Sequence, residues 1–286
     1  MFAIAVLCIV VSGFLHAVWN LFTKKSGNPA IFLWLLQWVA IIFYLPWGLV
    51  ALANHPVPFP GWLFLMGGMV AHGGYVLLLS QIYIVGDMSQ AYPMMRGVSP
   101  LLVPLLGTFV LDERLSVPGW IGVIGIILGI VLLGSWRLGR DTRGRYRLDY
   151  KVMGLALAVG LAITTYTVLD KITLRYVPPV TLNDATNVGN LVALSLVVLR
   201  SSVIKEEWQA HWKTIVVGGL ISPGSYLLFL VALRLAPVAQ VAPMREIGTV
   251  FGTILGIAVL KETDRTRRLV AAELITGGVI LLGIFG

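Results

Sequence analysis

The sequence predicts an all-α integral membrane protein with ten transmembrane helices in two inverted five-helix repeats. Three observations carry this. Hydrophobic residues make up 58% of the chain and charged residues only 12%, about half the charged share of a soluble domain. So few polar side chains do not cover a water-facing surface, and the natural solvent is lipid. Apolar stretches of about 20 residues, the length that crosses a bilayer, recur ten times. The second half of the chain also repeats the first at a nearly constant offset.

In order, the spans fall at 2–22, 30–52, 61–84, 88–111, 117–135, 152–170, 181–199, 213–235, 238–260 and 268–285. Residues 2–11 follow Met1 with no basic n-region and no small-residue cleavage site, so they are expected to open the first membrane helix. Cys8 is the single cysteine, so no intrachain disulfide is expected. The longest connection, the polar and Arg-rich segment 136–151, separates a first repeat at 1–135 from a second at 152–286. Glycines supply 31 residues and let helix backbones approach closely in lipid, where packing replaces the hydrophobic effect.

The repeat is clearest at Gln90-Ala91-Tyr92-Pro93-Met94-Met95-Arg96 and Gln240-Val241-Ala242-Pro243-Met244-Arg245. Gln90 and Gln240 stand 150 apart, Glu113 and Glu262 stand 149 apart, and a one-residue gap at Met95 aligns Arg96 with Arg245. Fifteen of the 21 Lys and Arg lie in the loops after odd-numbered spans, four in the loops after even-numbered spans, and two inside spans. The positive-inside rule places the fifteen in the cytoplasm, which leaves both termini outside a cytoplasmic (inner) membrane. These basic loops explain the net charge of +8 without nucleic acid as a partner. With five helices per copy, the copies insert upside down relative to each other, the plan of many secondary transporters.

Arg96-Gly97-Val98-Ser99-Pro100, followed by Leu111-Asp112-Glu113-Arg114-Leu115-Ser116 and a Gly-spaced helix, resembles the EamA domain of the drug/metabolite transporter superfamily. Val259-Leu260-Lys261-Glu262 resembles the end of its tandem partner, and the resemblance covers essentially the whole chain. It implies a five-plus-five inverted repeat that carries small metabolites, usually outward. It also implies a central cavity lined by spans 1, 3, 4, 6, 8 and 9, and cytoplasmic termini, opposite to the charge count. The cationic-drug exchangers of that superfamily use a carboxylate in the first helix. Span 1 here has none, which argues against exchange of a cation for protons.

An arginine at mid-membrane costs about 2.5–3.5 kcal/mol on insertion scales, so Arg96 and Arg245 are expected to face a shared interior. Each is either a structural lock or a holder of the substrate's anionic group, which guanidinium binds through two parallel hydrogen bonds. Glu246 points about 100° away from Arg245 on a helix and is expected to reach across the repeats toward Arg96. Pro93 and Pro243 are each expected to break the helix one turn before the arginine. Gln90, Tyr92 and Gln240 accompany them. On span 1, His16, Trp19 and Asn20 lie on one helical face with Ser12 and Thr23. At an offset of 147, Trp19 corresponds to Tyr166 and Asn20 to Thr167. The pattern His16-Ala17-x-Trp19-Asn20-x-x-x-Lys24 is also similar to a subset of EamA proteins, some associated with phosphonate use. His72 and Tyr75 on span 3 and Tyr226 on span 8 are candidates to stack on a substrate or simply to pack. Proton-coupling candidates are His16, Glu246 and Asp184. Asn183, Asn187 and Asn190 on span 7 are expected to look inward, Asp170 to pair at the membrane interface with Lys171 or Arg175, and Asp112, Glu113 and Glu262 to cap helix ends.

These readings converge on a secondary transporter that exports an amino acid or organic anion by alternating access, with proton coupling as an open element. A carrier or flippase of phosphorylated or lipid-linked sugars or of phosphonates stands as the alternative, and an embedded enzyme as a distant one. The four histidines show no metal-ligand spacing and no Gly-rich phosphate loop is present, so neither metal nor cofactor is expected. The expected partners are a small-molecule substrate and the lipid bilayer; the oligomeric state stays open, a monomer being compatible with it.

Overall fold

A computed structural model of the chain describes residues 1–85, 88–133, 139–140, 146–147, 150–260 and 265–286, and the side-chain surroundings of 1–82, 95–133, 151–259 and 266–286. The described residues form helices α1 (Phe2–Lys25), α2 (Pro29–Asn54), α3 (Phe59–Val85), α4 (Met88–Val110), α5 (Val117–Leu133), α6 (Tyr150–Thr173), α7 (Pro179–Val198), α8 (Ile204–Leu235), α9 (Val238–Met244), α10 (Ile247–Leu260) and α11 (Arg265–Phe285). Between α5 and α6, β1 (Gly139–Arg140) pairs antiparallel with β2 (Tyr146–Arg147). Most of the expected 136–151 linker, like Glu262, lies outside the described residues.

Seven helices are long and apolar enough to cross a membrane, α9 and α10 together forming one of them over Val238–Val259. Met95–Val110 of α4 and all of α5 are apolar but shorter. The remaining element, α7, has 20 residues and carries Asn183, Asp184, Asn187 and Asn190, which dilute its apolar character. Trp47, Ile42, Val70, Phe109, Val192 and Ile284 are exposed, and such side chains are at home against acyl chains.

Two elements depart from the sequence expectations. The span placed at 213–235 starts at Ile204, giving α8 32 residues. The paired proline breaks are not paired: α4 runs unbroken through Pro93 to Val110, whereas the second copy ends α9 at Met244 and restarts at Ile247. Proline removes only one N–H, and a helix often continues past it in a membrane. The missing residue of the second copy is the additional strain. There the backbone tightens to three-residue steps, Glu246 N–H donating to Pro243 O at 3.0 Å and Thr249 N–H to Glu246 O at 2.9 Å, the bond pattern of a 3₁₀ turn.

Packing follows the duplication. α1 lies on α8 and α10, α3 on α6 and α7, α2 on α7 and α8, α4 on α6 and α9, and α5 on α11. Exchanging the halves maps this set onto itself: α1–α8 becomes α6–α3, and α2–α8 becomes α7–α3. The match reaches single residues. A Cβ at Gly13 would lie 2.8 Å from Ile247 Cγ2, and a Cβ at Gly160 would lie 2.6 Å from Val98 Cβ; Ile247 and Val98 stand at the 149 offset. The α5–α11 pair is drawn so close that a Cβ at Gly122 would meet Gly278 O at 2.7 Å. Ser12 and Ser225 tie α1 to α8 reciprocally, each hydroxyl donating to the other's carbonyl at 2.7 and 2.9 Å.

The turn after α4 prepares a clamp. Asp112 adopts φ 55° and Glu113 N–H returns to Gly107 O at 3.0 Å, a left-handed helix stop. This turns Glu113 toward α9, where its oxygens accept from Val238 N–H at 2.9 Å and Ala239 N–H at 2.8 Å. Lys171 Nζ donates to Leu233 O and Ala236 O, both at 2.7 Å, and lies 3.7 Å from Glu113 Oε1. One acid from the turn after α4 and one base from α6 thus hold both sides of the α8–α9 turn, the acid satisfying free N–H groups and the base free carbonyls.

Two outcomes are expected in thermal unfolding of detergent-solubilised protein. Gly278→Leu forces α5 and α11 apart, a strain of about 1–3 kcal/mol, and lowers the transition, while Gly277→Ala, whose Cβ meets open space, leaves it unchanged. Glu113→Ala orphans two N–H groups, about 1–3 kcal/mol, and lowers the transition more than Glu206→Ala at an exposed position in the first turn of α8.

Candidate functional site

The polar face of α1 meets the α9–α10 break. Arg96, inside α4, spans the gap: its Nη2 lies 3.1 Å from His16 Nε2 and its Nη1 donates to Glu246 Oε1 at 3.4 Å. Glu246 is buried, and its second oxygen accepts from Thr249 Oγ1 at 2.8 Å. The carboxylate in the break of one repeat therefore joins the arginine of the other. His16 also packs edge-on against Trp19, 5.0 Å between ring centres. Asn20 turns back along its own helix, its amide donating to His16 O at 2.7 Å.

Arg245 is placed differently. Its guanidinium lies over Phe229 at 4.3 Å and over Tyr226 at 5.2 Å, and its buried Nε has no hydrogen-bond partner. Among the described residues no carboxylate pairs with it. The two aromatic faces hold the cation in place through their negative π clouds while its N–H groups remain available. Both arginines lie within electrostatic reach of His16 and Tyr166.

Beyond Tyr226 lies a buried acid, Asp170. The Tyr226 hydroxyl donates to Asp170 Oδ2, and His72 Nε2 lies 3.0 Å from the same oxygen and 3.2 Å from the hydroxyl. His72 stacks on Tyr166 with ring centres 4.0 Å apart, and Tyr75 meets Tyr166 edge-on at 5.3 Å. Asp170 is fully buried, and its Oδ1 carries no hydrogen bond. Five helices, α1, α3, α4, α6 and α8, together with the α9–α10 break, thus surround two cations, two carboxylates, two imidazoles and an aromatic wall.

Several expected residues are brought together here: Arg96, Arg245, Glu246, His16, Trp19, His72, Tyr75, Tyr166 and Tyr226. Others are not. Gln240 is buried against Gly286 at the chain's end, since a Cβ on that glycine would sit 3.1 Å from the Gln240 side chain. Asp184 lies in the α2–α7 interface, beside Gly48. Gln90 and Tyr92 belong to α4, and their side chains lie outside the described residues. Asp170 corrects the expectation of an interfacial pair with Lys171 or Arg175. Successive helical residues diverge by about 100°, so Lys171 clamps the α8–α9 turn while Asp170 turns inward. The missed signal was its spacing of four from Tyr166, which sets both on one face. Phe229, three residues after Tyr226, was also passed over. No group of three or more His, Cys, Asp or Glu among the described residues could hold a metal ion.

Known proteins agree with this architecture. A crystal structure of another protein superposes with a TM-score of 0.77 at 20% identity, covering 97% of this chain and 95% of the other; at that identity it speaks for the fold alone. A curated relative from Proteus mirabilis (strain HI4320), the "Probable 4-amino-4-deoxy-L-arabinose-phosphoundecaprenol flippase subunit ArnE", is 33% identical over 72 residues, which is 25% of this chain and 61% of that protein. The match spans less than two thirds of that relative. The EamA-like transporter family matches residues 3–135 and again 151–284. With both halves of the chain matched in tandem, the protein belongs to the EamA-like transporter family.

Proposed function

We propose that the protein is a secondary transporter of the cytoplasmic membrane that exports a small zwitterion or organic anion, an amino acid being the best fit, by alternating access. In this reading the chain crosses the bilayer ten times, as two inverted five-helix repeats, and the site lies on the pseudo-twofold axis between them. The observation that carries it is Arg245. A guanidinium held by Phe229 and Tyr226, with no hydrogen bond among the described residues, is prepared for a carboxylate. At the far edge of Tyr226, the unbonded Oδ1 of Asp170 suits an ammonium group. The substrate's apolar part lies against Tyr75, Tyr166 and Trp19.

Arg96 has a different part. Bound to Glu246 and His16, it couples the repeats, and rocking of the halves stretches or releases that contact. Proton uptake by His16 or Glu246 would weaken it. A phosphate group draws on several converging cations, and Glu246 offsets one of the two arginines here, which favours a monocarboxylate. The match to a subunit named as a flippase for a phosphoundecaprenol-linked sugar supports the second reading, a carrier or flippase of phosphorylated or lipid-linked sugars.

A thermal-shift screen of purified protein separates the two readings: stabilisation by free amino acids and not by sugar phosphates is expected, and the converse selects the second. For an amino acid found this way, Arg245→Ala removes charged hydrogen bonds of about 1.5–3 kcal/mol and weakens binding about tenfold to a hundredfold. Uptake into liposomes that is unchanged in Arg245→Ala would remove this arginine from the site. We read both termini as outside from the charge of the basic loops; a C-terminal reporter active only on the cytoplasmic side would reverse that orientation.

A further inference from the structure

One buried acid stands apart from the arginine pocket. Asp184, in the second turn of α7, is 4% exposed, and neither carboxylate oxygen has a hydrogen-bond partner. It faces α2 at Gly48, where an added Cβ would collide with Oδ2 and approach Cγ to 2.9 Å. Only a residue without a side chain leaves room for the carboxyl group there. A row of buried, unbonded amide atoms continues along α7: both polar atoms of Asn183, Nδ2 of Asn187 and Oδ1 of Asn190. Gln37 Oε1 on α2 is likewise unbonded. The two helices run antiparallel, with Thr181 Oγ1 donating to Gly48 O at 3.2 Å and Trp34 Nε1 donating to Ser195 Oγ at 2.8 Å. Gln37 therefore lies toward the far end of the row from Asp184.

Among the described residues, no cation answers this carboxylate from the elements packed on α7. On α2 the facing ionisable group is Tyr44, whose hydroxyl donates to Leu220 O at 2.8 Å. α3 runs parallel to α7, with Gly189 against Met69, so the part of α3 level with Asp184 is residues 62–66, which contain no ionisable side chain. α8 runs parallel to α2, with Gly219 against Val39 and Gly224 beside Tyr44. Its ionisable residue at the level of Gly48 is Tyr226, which is bonded to Asp170. His72, further along α3, is bonded to the same acid. A carboxylate deprived of both water and counter-ion is strongly disfavoured as the anion relative to the neutral acid.

We infer that Asp184 is a proton-binding site within the α2–α7 interface, distinct from the pocket at Arg245 and Asp170. The step is simple acid–base chemistry: a proton from water forms an O–H bond on one carboxylate oxygen and cancels its charge, and release returns both. Proton occupancy does not depend on the substrate; its use to drive export rests on the transport reading above.

Infrared spectroscopy of the full-length protein in liposomes tests the inference with the proton itself as probe. Wild type is expected to show a protonated-carboxyl C=O band that fades as pH is raised, and Asp184→Asn, an isosteric change, is expected to erase it. A titrating band that survives in Asp184→Asn overturns the inference, as does the absence of any titrating band in wild type. Fading of the band on adding NaCl at constant pH also overturns it, because the site would then take sodium. Gly48→Ala keeps the acid but crowds it and is expected to shift the midpoint of the titration; an unmoved midpoint contradicts the placement against Gly48. Failure of every solute to cross the same liposomes would undo the transport reading and leave the proton site standing.

Discussion

A charge placed where water is scarce must be answered by another part of the protein, and the ion pair between Arg96 and Glu246 is the answer around which this structure is arranged. Each meets a partner from the other repeat. Arg96 lies inside α4 among apolar residues, and Glu246 directly follows another arginine. Each becomes tolerable only when the two repeats are assembled, since the carboxylate from the second half reaches the guanidinium of the first at 3.4 Å. Desolvation of such groups is costly when one partner is missing. The pair therefore acts against loose association of the halves and sets which helix faces meet on the axis. His16 adds a second contact to the Arg96 guanidinium, and Thr249 donates to the other Glu246 oxygen.

With Arg96 satisfied, Arg245 is left with a different environment. Duplication supplied two equivalent arginines, but the single carboxylate beside Arg245 is committed across the repeats. Phe229 and Tyr226 then hold Arg245 by their ring faces, which offer attraction without using its N–H groups. The symmetric pair thus divides into one arginine that joins the halves and one with binding capacity to spare. The same division appears among the acids. Glu246 is fully engaged, and Asp170 keeps one oxygen unbonded beside Tyr226 and His72.

The sequence showed much of this plan, and its failures have physical reasons. Arg96 and Arg245 were legible because a charged residue within an apolar run is expensive wherever it faces lipid. The helix faces of α1 were legible because polar residues at spacings of three and four can mark only one side. The break after Pro243 was half legible: the prolines are duplicated, but a proline alone does not stop a membrane helix, and the absence of one residue from the second copy separates the two outcomes. Asp170 was read as interfacial because Lys171 is its neighbour, although adjacent residues on a helix cannot share a face. α7 was counted among the apolar spans, yet Asn183 and Asn187 are buried with unbonded amide atoms, and no linear count of hydrophobicity shows what a polar side chain faces.

The seven-residue α9 has a further consequence. Two identical halves related by an axis would give inward-open and outward-open forms of equal energy, and such a molecule would rest without preference between them. The shortened helix and the tight turn at Glu246 belong to the second copy, whereas α4 of the first runs unbroken through Pro93. In the transporter reading proposed above, this asymmetry gives the two forms unequal energies and so a built-in resting direction.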